Sequence, residues 1–539
     1  ANSNSFMGSI PDELFLMVQL ESLLLLNNEF TGYIGSGIGT LVECTFLDLS
    51  HNQLTGLIPP EISTMSSLQG LHLEDNTLTG PVPSVISELI SLTSFSIRGN
   101  GFYSIVPNEL YNMTNLADFD IDDNFFTGEL SSNIANLVKL NELHVSVNEF
   151  SGTIPSSLGS MTQLSQMRLN NNSFYGEIPS TFSAMPDLRI FDIASNVFSG
   201  EVPSNLFNMQ QVNVLNMAHN FFDGSIPTNF GDMVNLVTLD MSFNYFEGQI
   251  PSQMTLMTSL TDYDVSRNRL TGSIPTILFE LATLASISLS FNELNGTIPT
   301  VITQLTTLEV FDVGFNQVSG PIPTFIASME KLYRLDVAHN FITGWLPSNL
   351  GQMHKLQELV AFENFISGPL PSSIGEMSSL EAIYIERNKL TSSLPASIVT
   401  ATSLTSLNMS GNLFTSSLPT NINGLSNLQV LFLSGCSFTS ILPESLYDLS
   451  NLVQLSLLGN LFEGTVSSGI GNLVNLVLLD FAENKFTSHF PDFLDGLDLS
   501  FFVLQSNKFD GPIPESLYSN SKLQLLDIAF NKFEQTISS

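Results

Sequence analysis

The sequence predicts an α/β solenoid, a fold in which one short unit of strand and turn is stacked many times. Three observations predict it: a 24-residue period from end to end, apolar residues that alternate before a repeated asparagine, and a Gly-x-aliphatic-Pro segment after it. One unit could not bury its apolar side chains alone, so neighbouring units must bury them together.

The period is marked by the asparagine itself. It runs from Asn4 to Asn531 in 23 units, with a cysteine in its place at position 436 and a single one-residue deletion between Asn484 and Asn507. An asparagine side chain can bond backbone groups where the chain leaves a strand. We therefore expect an internal ladder of asparagines that stays unbroken across the deletion, with a tighter turn on the opposite side of that repeat.

The residues around each asparagine give the local structure. Apolar side chains stand eight, five and three positions before it, as in Leu236, Leu239 and Met241 before Asn244. This alternation predicts a short strand with one buried face. The proline of the following segment favours extended backbone, and the next eight residues suit a helical or 3₁₀ turn.

These units read LxxLxLxxNxFxGxIP and resemble the leucine-rich-repeat family along the whole chain, in the 24-residue form typical of plant-type receptors and many algal extracellular proteins. The resemblance implies a superhelix of about 23 repeats with a concave parallel β-sheet and short helical or 3₁₀ convex segments. It also implies recognition by exposed strand residues. Such proteins usually carry cysteine-bearing caps. We find no cap pattern, and predict that residues 1–539 form a single continuous domain of a longer protein or assembly.

Composition limits the partners. The chain has 15 Lys+Arg against 51 Asp+Glu, a formal charge of −36, and only 12% charged residues. Such a field repels nucleic acids, anionic lipids and polyanionic glycans, and favours cations, basic proteins or neutral glycans. No apolar run reaches 18 residues, so no membrane insertion is expected in this segment. Cys44 and Cys436 lie too many repeats apart to form a disulfide.

Motifs for catalysis are missing from the sequence. There is no HExxH, GxSxG or GxxxxGK[ST] pattern, and the glycine-rich stretches fall in the turn part of a repeat. We therefore expect a protein that is not an enzyme and that has no cofactor, apart from a possible Ca²⁺ ion.

That ion is suggested by the segment DFDIDDNFFTGE, whose acids imitate the spacing of an EF-hand loop. Asp123 stands where that loop needs glycine, so an EF-hand is rejected. A strand would nevertheless place several carboxylates side by side, and a hard cation would relieve their repulsion. The possible calcium ligands are Asp118, Asp120, Asp122 and Asp123. Partial neutralisation by Arg98 in the preceding repeat is the competing outcome.

A wider stripe of aspartates shares the mid-strand position four before the asparagine and should make the sheet face negative. Its members are Asp48, Asp120, Asp192, Asp240, Asp264, Asp312, Asp336, Asp480 and Asp527.

Aromatic residues flank the repeated asparagine, and an exposed aromatic row often marks an interface. The candidate binding residues are Phe125, Phe221, Phe243, Tyr245, Phe291, Phe315, Phe341 and Phe365.

Four N-x-Ser/Thr sequons provide possible glycosylation sites, as expected of an extracellular glycoprotein. They lie at Asn112, Asn171, Asn295 and Asn408.

Together these features favour an extracellular or cell-surface binding module that recognises a protein or a neutral glycan, as a receptor-like ectodomain would. The alternative is a structural rod of cell wall, matrix or extracellular fibre, built from copies of the chain. Ice binding is disfavoured because the exposed strand positions are mixed, as Arg98, Asp122 and Phe362 illustrate.

Overall fold

The repeated asparagine organises each turn of the computed structural model, which describes residues 4–301, 305–492 and 497–534. Nδ2 of Asn220 donates to the carbonyl oxygens of Met217 and Ala218 at 3.3 and 3.1 Å, and to that of Ile193 in the preceding repeat at 3.0 Å. Its Oδ1 accepts the N–H of Phe198 at 3.0 Å. One buried side chain thus satisfies four backbone groups that water cannot reach. The predicted ladder is confirmed.

The ladder also crosses the one-residue deletion. Asn507 donates to the carbonyl of Phe481 at 2.8 Å and accepts the N–H of Phe486 at 3.0 Å. The strands on either side stay in register, with Leu478 opposite Phe501. The unbroken ladder is therefore confirmed, whereas the predicted tighter turn falls around residues 493–496, outside the described residues.

Cysteine replaces asparagine in one repeat of the ladder. The Sγ of Cys436 lies 3.5 Å from the carbonyl oxygen of Met409 and 3.7 Å from that of Ser434. Both Cys436 and Cys44 are free and buried, and burial raises the pKa of each thiol. Neither thiol has the environment of a reactive cysteine.

The chain divides into two compact units, Ala1–Leu270 (unit 1) and Thr271–Ser539 (unit 2). In each unit the strand before the asparagine pairs in parallel with its equivalent one repeat on, and we call these strands the first sheet. Those of unit 1 are Ser22–Leu24, Phe46–Asp48, Gly70–His72, Ser94–Ser96, Asp118–Asp120, Glu142–His144, Gln166–Arg168, Ile190–Asp192, Val214–Asn216, Thr238–Asp240 and Asp262–Asp264. Those of unit 2 are Ser286–Ser288, Val310–Asp312, Arg334–Asp336, Glu358–Val360, Ala382–Tyr384, Ser406–Asn408, Val430–Phe432, Gln454–Ser456, Leu478–Asp480, Phe501–Val503 and Leu525–Asp527.

A second set of parallel strands follows the asparagine, where the sequence predicted only a short extended piece. In unit 1 they are Met7–Ser9, Glu29–Tyr33, Gln53–Gly56, Thr77–Gly80, Gly101–Ser104, Phe125–Glu129, Glu149–Gly152, Ser173–Gly176, Val197–Glu201, Phe221–Asp223 and Glu247–Gln249. Arg269–Ser273 spans the division between the units. In unit 2 they are Glu293–Asn295, Ser319–Pro321, Phe341–Thr343, Ser367–Pro369, Lys389–Ser392, Leu413–Ser416, Ser437–Ser440, Leu461–Gly464, Lys485–His489, Lys508–Gly511 and Lys532–Phe533.

Most repeats continue into a short 3₁₀ helix, as predicted, but residues 252–257 in the repeat of Asn244 form a bend and turns instead. Unit 1 has Asp12–Leu16, Ser36–Thr40, Pro60–Thr64, Ser84–Glu88, Asn108–Asn112, Ser132–Asn136, Ser156–Ser160, Ser180–Ala184, Ser204–Asn208 and Thr228–Asp232. Unit 2 has Thr276–Glu280, Thr324–Ser328, Leu350–Gln352, Ser372–Glu376, Ala396–Thr400, Ile422–Gly424, Glu444–Asp448, Ser468–Asn472 and Glu515–Ser519. Within the described ranges, none of the helices has the length and apolar character that crossing a membrane requires.

The core lies between the two sets of strands and the 3₁₀ helices. The residue two after the asparagine points inward, and where it is phenylalanine the rings stack from repeat to repeat. In unit 1 the centroids of Phe150 and Phe174 are 6.0 Å apart with the rings 5° from parallel. A comparable stack in unit 2 joins Phe414, Phe438 and Phe462. Because these buried side chains pack from repeat to repeat, each repeat depends on its neighbours for stability, as expected of a solenoid.

Candidate functional site

The eight predicted aromatic residues fall into two rows rather than one. Phe243, Phe291 and Phe315 precede the asparagine and have φ of 53–54°, in the left-handed region that the turn out of the first sheet requires. The other five follow the asparagine and lead into the second set of strands. They are Phe125, Phe221, Tyr245, Phe341 and Phe365.

In unit 1 these rows build two parallel stacks, which we call the aromatic columns. The first is His219–Phe243–Arg267: the two rings lie 3.9 Å apart, and the Arg267 guanidinium carbon lies 4.7 Å from the Phe243 ring centre.

The second column is Phe221–Tyr245–Arg269, with ring centres 5.9 Å apart and the Arg269 guanidinium carbon 4.5 Å above the Tyr245 ring. A groove of about 370 Å³ lies along the two columns. Each stack ends on an arginine cation held over a ring face, an arrangement that favours both partners. The columns are therefore rigid and already packed.

Unit 2 contains two further stacks of three side chains. Phe291 and Phe315 lie 4.1 Å apart and are followed by His339, whose ring centre is 4.9 Å from that of Phe315. In the other row, Phe341 and Phe365 lie 6.2 Å apart, and the Lys389 ammonium lies 4.7 Å above the Phe365 ring.

Phe125 lies outside these stacks, in a different part of unit 1. It pairs beside Tyr103 in the second set of strands, and the two side chains are 55% and 53% exposed.

The predicted calcium ligands come together only in part. Asp120, Asp122 and His144 offer ligand atoms that all lie within 4.8 Å of one another. Asp123 has a φ of 53° and is exposed in the turn, while Asp118 accepts a hydrogen bond from the Ser94 hydroxyl at 3.0 Å. In the structure the third possible ligand is therefore His144 of the next repeat and not Asp123. A linear EF-hand pattern could not reveal a ligand from another repeat.

We call Asp118, Asp120 and Asp122 the acidic patch. Burial raises the pKa of Asp118 and Asp120. Burial and the charge of Asp120 raise the pKa of Asp122 to about 7, against the opposing effects of the Ser146 N–H and of Arg98 and Arg168. The charge of Arg98 lowers the pKa of Asp120 and Asp122, but burial has the larger effect and keeps both pKa values raised.

Several polar atoms around the acidic patch lack hydrogen bonds. Glu74 Oε2, His144 Nε2 and Arg168 Nε are buried and have no hydrogen-bond partner among the described residues. Buried polar groups without partners are uncommon and costly. This part of the first sheet is therefore electrostatically strained.

The stripe of mid-strand aspartates has a structural role that the sequence did not predict. Each of the nine accepts the backbone N–H two residues on, as Asp240 does from Ser242 at 2.9 Å and Asp336 from Ala338 at 3.0 Å. Asn216 and Asn408 make the same bond from the same position. The short side chain thus closes the strand end, and negative charge is not required for it.

Three of the four sequon asparagines are exposed: Asn112, Asn171 and Asn295. Asn171 lies in the turn after the strand, with a φ of 55°, rather than in the strand itself. Asn408 is half-buried within its strand, and its side-chain Oδ1 accepts the Ser410 N–H at 3.2 Å.

Trp345 was missed by the sequence analysis. It is the only tryptophan of the chain, occupies the variable position of the Gly-x-aliphatic-Pro segment, and is 67% exposed. Its rarity and its place in the repeat were the available signals.

Comparisons with known proteins agree with this architecture. A family model described as Leucine Rich Repeat matches residues 43–65, 139–161, 235–257, 403–425 and 427–449. A search of curated protein sequences finds no match.

Among solved structures, the plant peptide hormone receptor RGFR1 in complex with RGF2 is similar at TM-score 0.90 and 29% identity, over 99% of this chain and 90% of that one. The PEPR1–AtPEP1 structure matches at TM-score 0.90 and 29% identity, over 98% and 78% of the two chains. The Arabidopsis receptor kinase HAESA, in complex with the peptide hormone IDA and the co-receptor SERK1, matches at TM-score 0.88 and 29% identity, over 96% of this chain and 87% of that one. With the repeat, ladder and paired strands, these findings show that the chain contains leucine-rich repeats and that its fold is similar, over nearly all of its length, to those plant receptor structures.

Proposed function

We propose that this chain is the extracellular, ligand-binding part of a cell-surface receptor-like protein, and that it binds a protein or peptide without catalysing a reaction. The observation that carries the proposal is the pair of aromatic columns in unit 1. Two stacks of rings and guanidinium groups stand on consecutive repeats and flank a groove of about 370 Å³.

The columns suit a protein partner because their side chains are exposed yet already ordered. Phe243 and Tyr245 are 41% and 40% exposed, although each is held between a neighbouring ring and an arginine. Tyrosine and arginine are enriched among the residues that dominate protein interfaces. Since little side-chain freedom remains to be lost, binding here costs little conformational entropy.

The same stacking disfavours a glycan at this place. A sugar ring packs against an aromatic face, and in the columns the Phe243 and Tyr245 faces are occupied by other rings or by guanidinium groups. The exposed edges of these rings suit the mixed apolar and polar surface of a polypeptide better than they suit a sugar ring.

Charge favours a basic partner. The chain carries a formal charge of −36, with 51 Asp+Glu against 15 Lys+Arg. This field attracts a positively charged protein or peptide and repels nucleic acids.

The structural neighbours support a receptor-like role outside the cell. The RGFR1 and HAESA structures were obtained with the peptide hormones RGF2 and IDA, and a second HAESA structure is described as a leucine-rich-repeat ectodomain.

The test is selection of a displayed random-peptide library on the whole 539-residue chain, followed by affinity measurement of the enriched peptides. We expect enriched peptides to be basic with apolar residues, and to lose about tenfold or more in affinity for the variant Phe243→Ser/Tyr245→Ser.

The matched control is Val147→Ser/Val197→Ser. These valines occupy the same two positions around the asparagine and are each 44% exposed. Equal loss in both variants, or no loss in either, would contradict a role for the columns. Growth of long particles with concentration in sedimentation, with no peptide enriched, would instead favour the structural rod.

A further inference from the structure

Trp345 offers an aromatic face of a different kind from those of the columns. It stands five positions after Asn340, at the end of the strand Phe341–Thr343, and is 67% exposed. The glycine of the next repeat, Gly368, lies against it: a Cβ added there would come within 2.7 Å of the indole Cδ1 and Nε1 and 2.8 Å of Cγ.

A point that is nearly equidistant from three neighbouring ring atoms lies over the ring. The Cβ position of Gly368 is such a point, so Gly368 faces the flat side of the indole and not its edge. One face of Trp345 therefore rests on the backbone of the next repeat. The high exposure of the side chain leaves the outer face open.

A groove of about 570 Å³ runs beside the indole within unit 2. Its floor is apolar and buried, formed by Ile298, Ile322 and Leu346. Its rim carries exposed hydroxyl groups, from Thr297, Thr300, Thr324 and Ser348. Among the described residues that line the groove, none carries a charge.

The charge of the lining distinguishes this groove from one in unit 1. An equivalent groove in unit 1, of about 1150 Å³, is lined by Glu177 and Glu201. Glu201 stands at the repeat position that Trp345 occupies in unit 2, five after the asparagine. The two grooves therefore differ in charge at the same repeat position.

We infer that this groove binds a neutral oligosaccharide, a function beyond the proposed binding of a protein by the columns. The C–H bonds on one side of a pyranose ring carry partial positive charge and pack against the electron-rich face of an indole. Exposed hydroxyl groups can exchange hydrogen bonds with sugar hydroxyls, as they do with water. An ionic ligand would find no charged partner along the lining.

The size of the groove also suits a short glycan segment. It extends over the repeats of Thr297, Pro321 and Trp345. Adjacent strands are about 4.8 Å apart, so three repeats span about 10 Å. That length accommodates about two sugar residues.

The single tryptophan makes the test direct. The whole chain is titrated with the neutral sugars cellohexaose, xylohexaose and mannohexaose, and with an oligogalacturonate as the anionic comparison. Binding is followed by tryptophan emission, by acrylamide quenching and by the heat measured in a calorimeter. We expect at least one neutral hexaose to bind with a Kd of roughly 1 mM or tighter, with a blue shift and reduced quenching, and the oligogalacturonate not to bind.

Two variants locate the site. Trp345→Ala should abolish the calorimetric heat of the neutral sugar, and Thr324→Val should weaken binding severalfold. The matched control is Tyr33→Ala, because Tyr33 is 72% exposed at the same repeat position and also lies against the glycine of the next repeat, Gly56. Absence of binding by every neutral hexaose, binding that survives Trp345→Ala, or equal loss in Tyr33→Ala would each overturn the inference.

Discussion

The acidic patch and the aromatic columns both lie in unit 1 and arise from the same backbone repeat. They differ in how their charged groups are surrounded. In the columns, Arg267 and Arg269 are seated over aromatic rings at 4.7 and 4.5 Å. In the acidic patch, burial and Asp120 raise the pKa of Asp122 to about 7, and the nearby His144 Nε2 has no hydrogen-bond partner among the described residues. The side chains of the columns are already packed against one another, whereas burial in the acidic patch favours the protonated form of Asp122.

The largest expected effect comes from removing the support between the columns. Asn244 separates Phe243 from Tyr245, donates to the carbonyls of Met217, Met241 and Ser242 at 2.9, 3.2 and 3.0 Å, and accepts a backbone N–H at 3.0 Å. Asn244→Ala leaves these buried groups unpaired and should cost about 3 kcal/mol or more of unfolding free energy. Urea unfolding measures the loss, and hydrogen exchange shows whether it is local to the columns.

Asn244→Cys sharpens this result, because Cys436 fills the same position naturally and contacts two carbonyl oxygens at 3.5 and 3.7 Å. We expect it to lose about half as much stability as the alanine variant. A loss below about 1 kcal/mol for Asn244→Ala would mean that the columns are held by ring stacking alone.

Much of this comparison could be predicted from sequence, because the ladder repeats so regularly. The asparagine column, its passage through the deletion at Asn507 and the buried cysteines all follow from position within the period. Period alone could not show that Phe243 adopts a left-handed φ while Tyr245 leads into a second strand. One predicted row therefore became two.

Contacts between repeats were harder still to predict. His144 lies one period after Asp120 and pairs with it in register, so spacing places these two residues side by side, but the approach of their ligand atoms to that of Asp122 depends on side-chain directions. The stripe of aspartates was interpreted as surface charge because a bond to the backbone two residues on leaves no trace in composition. The glycine under Trp345 likewise acquires meaning only once the indole is placed on it.

The next largest effect is a pH dependence that belongs to the acidic patch. Because the folded-state pKa of Asp122, about 7, lies above its ordinary value, protonation favours the folded state. This contribution is present at low pH and is lost as pH rises through about 7. Asp122→Asn should therefore stabilise the protein at pH 8 and reduce the fall in stability between pH 5 and 8 by about 2 kcal/mol, with allowance for partial exposure.

Thermal melts at pH 5, 6, 7 and 8 test this dependence. Asp123→Asn is the matched control, since Asp123 is the adjacent, exposed carboxylate. If both variants follow the pH profile of the original chain, the strain of the acidic patch does not lie at Asp122.

The smallest expected effect is that of a divalent cation. Asp120, Asp122 and His144 combine two carboxylates with an imidazole, and their ligand atoms lie within 4.8 Å of one another. Calcium prefers six to eight oxygen ligands, whereas imidazole suits first-row transition metals. Arg98 and Arg168 oppose any cation through their charge. We therefore expect weak binding, in which millimolar Mn²⁺ raises the melting temperature by about 1–3 °C relative to chelator and Ca²⁺ raises it less.

His144→Gln should remove the advantage of Mn²⁺ over Ca²⁺, and Asp120→Asn/Asp122→Asn should remove both shifts, while Asp123→Asn keeps them. Equal shifts in all variants would mean that cations act diffusely on the formal charge of −36 and that the acidic patch is relieved by protons alone.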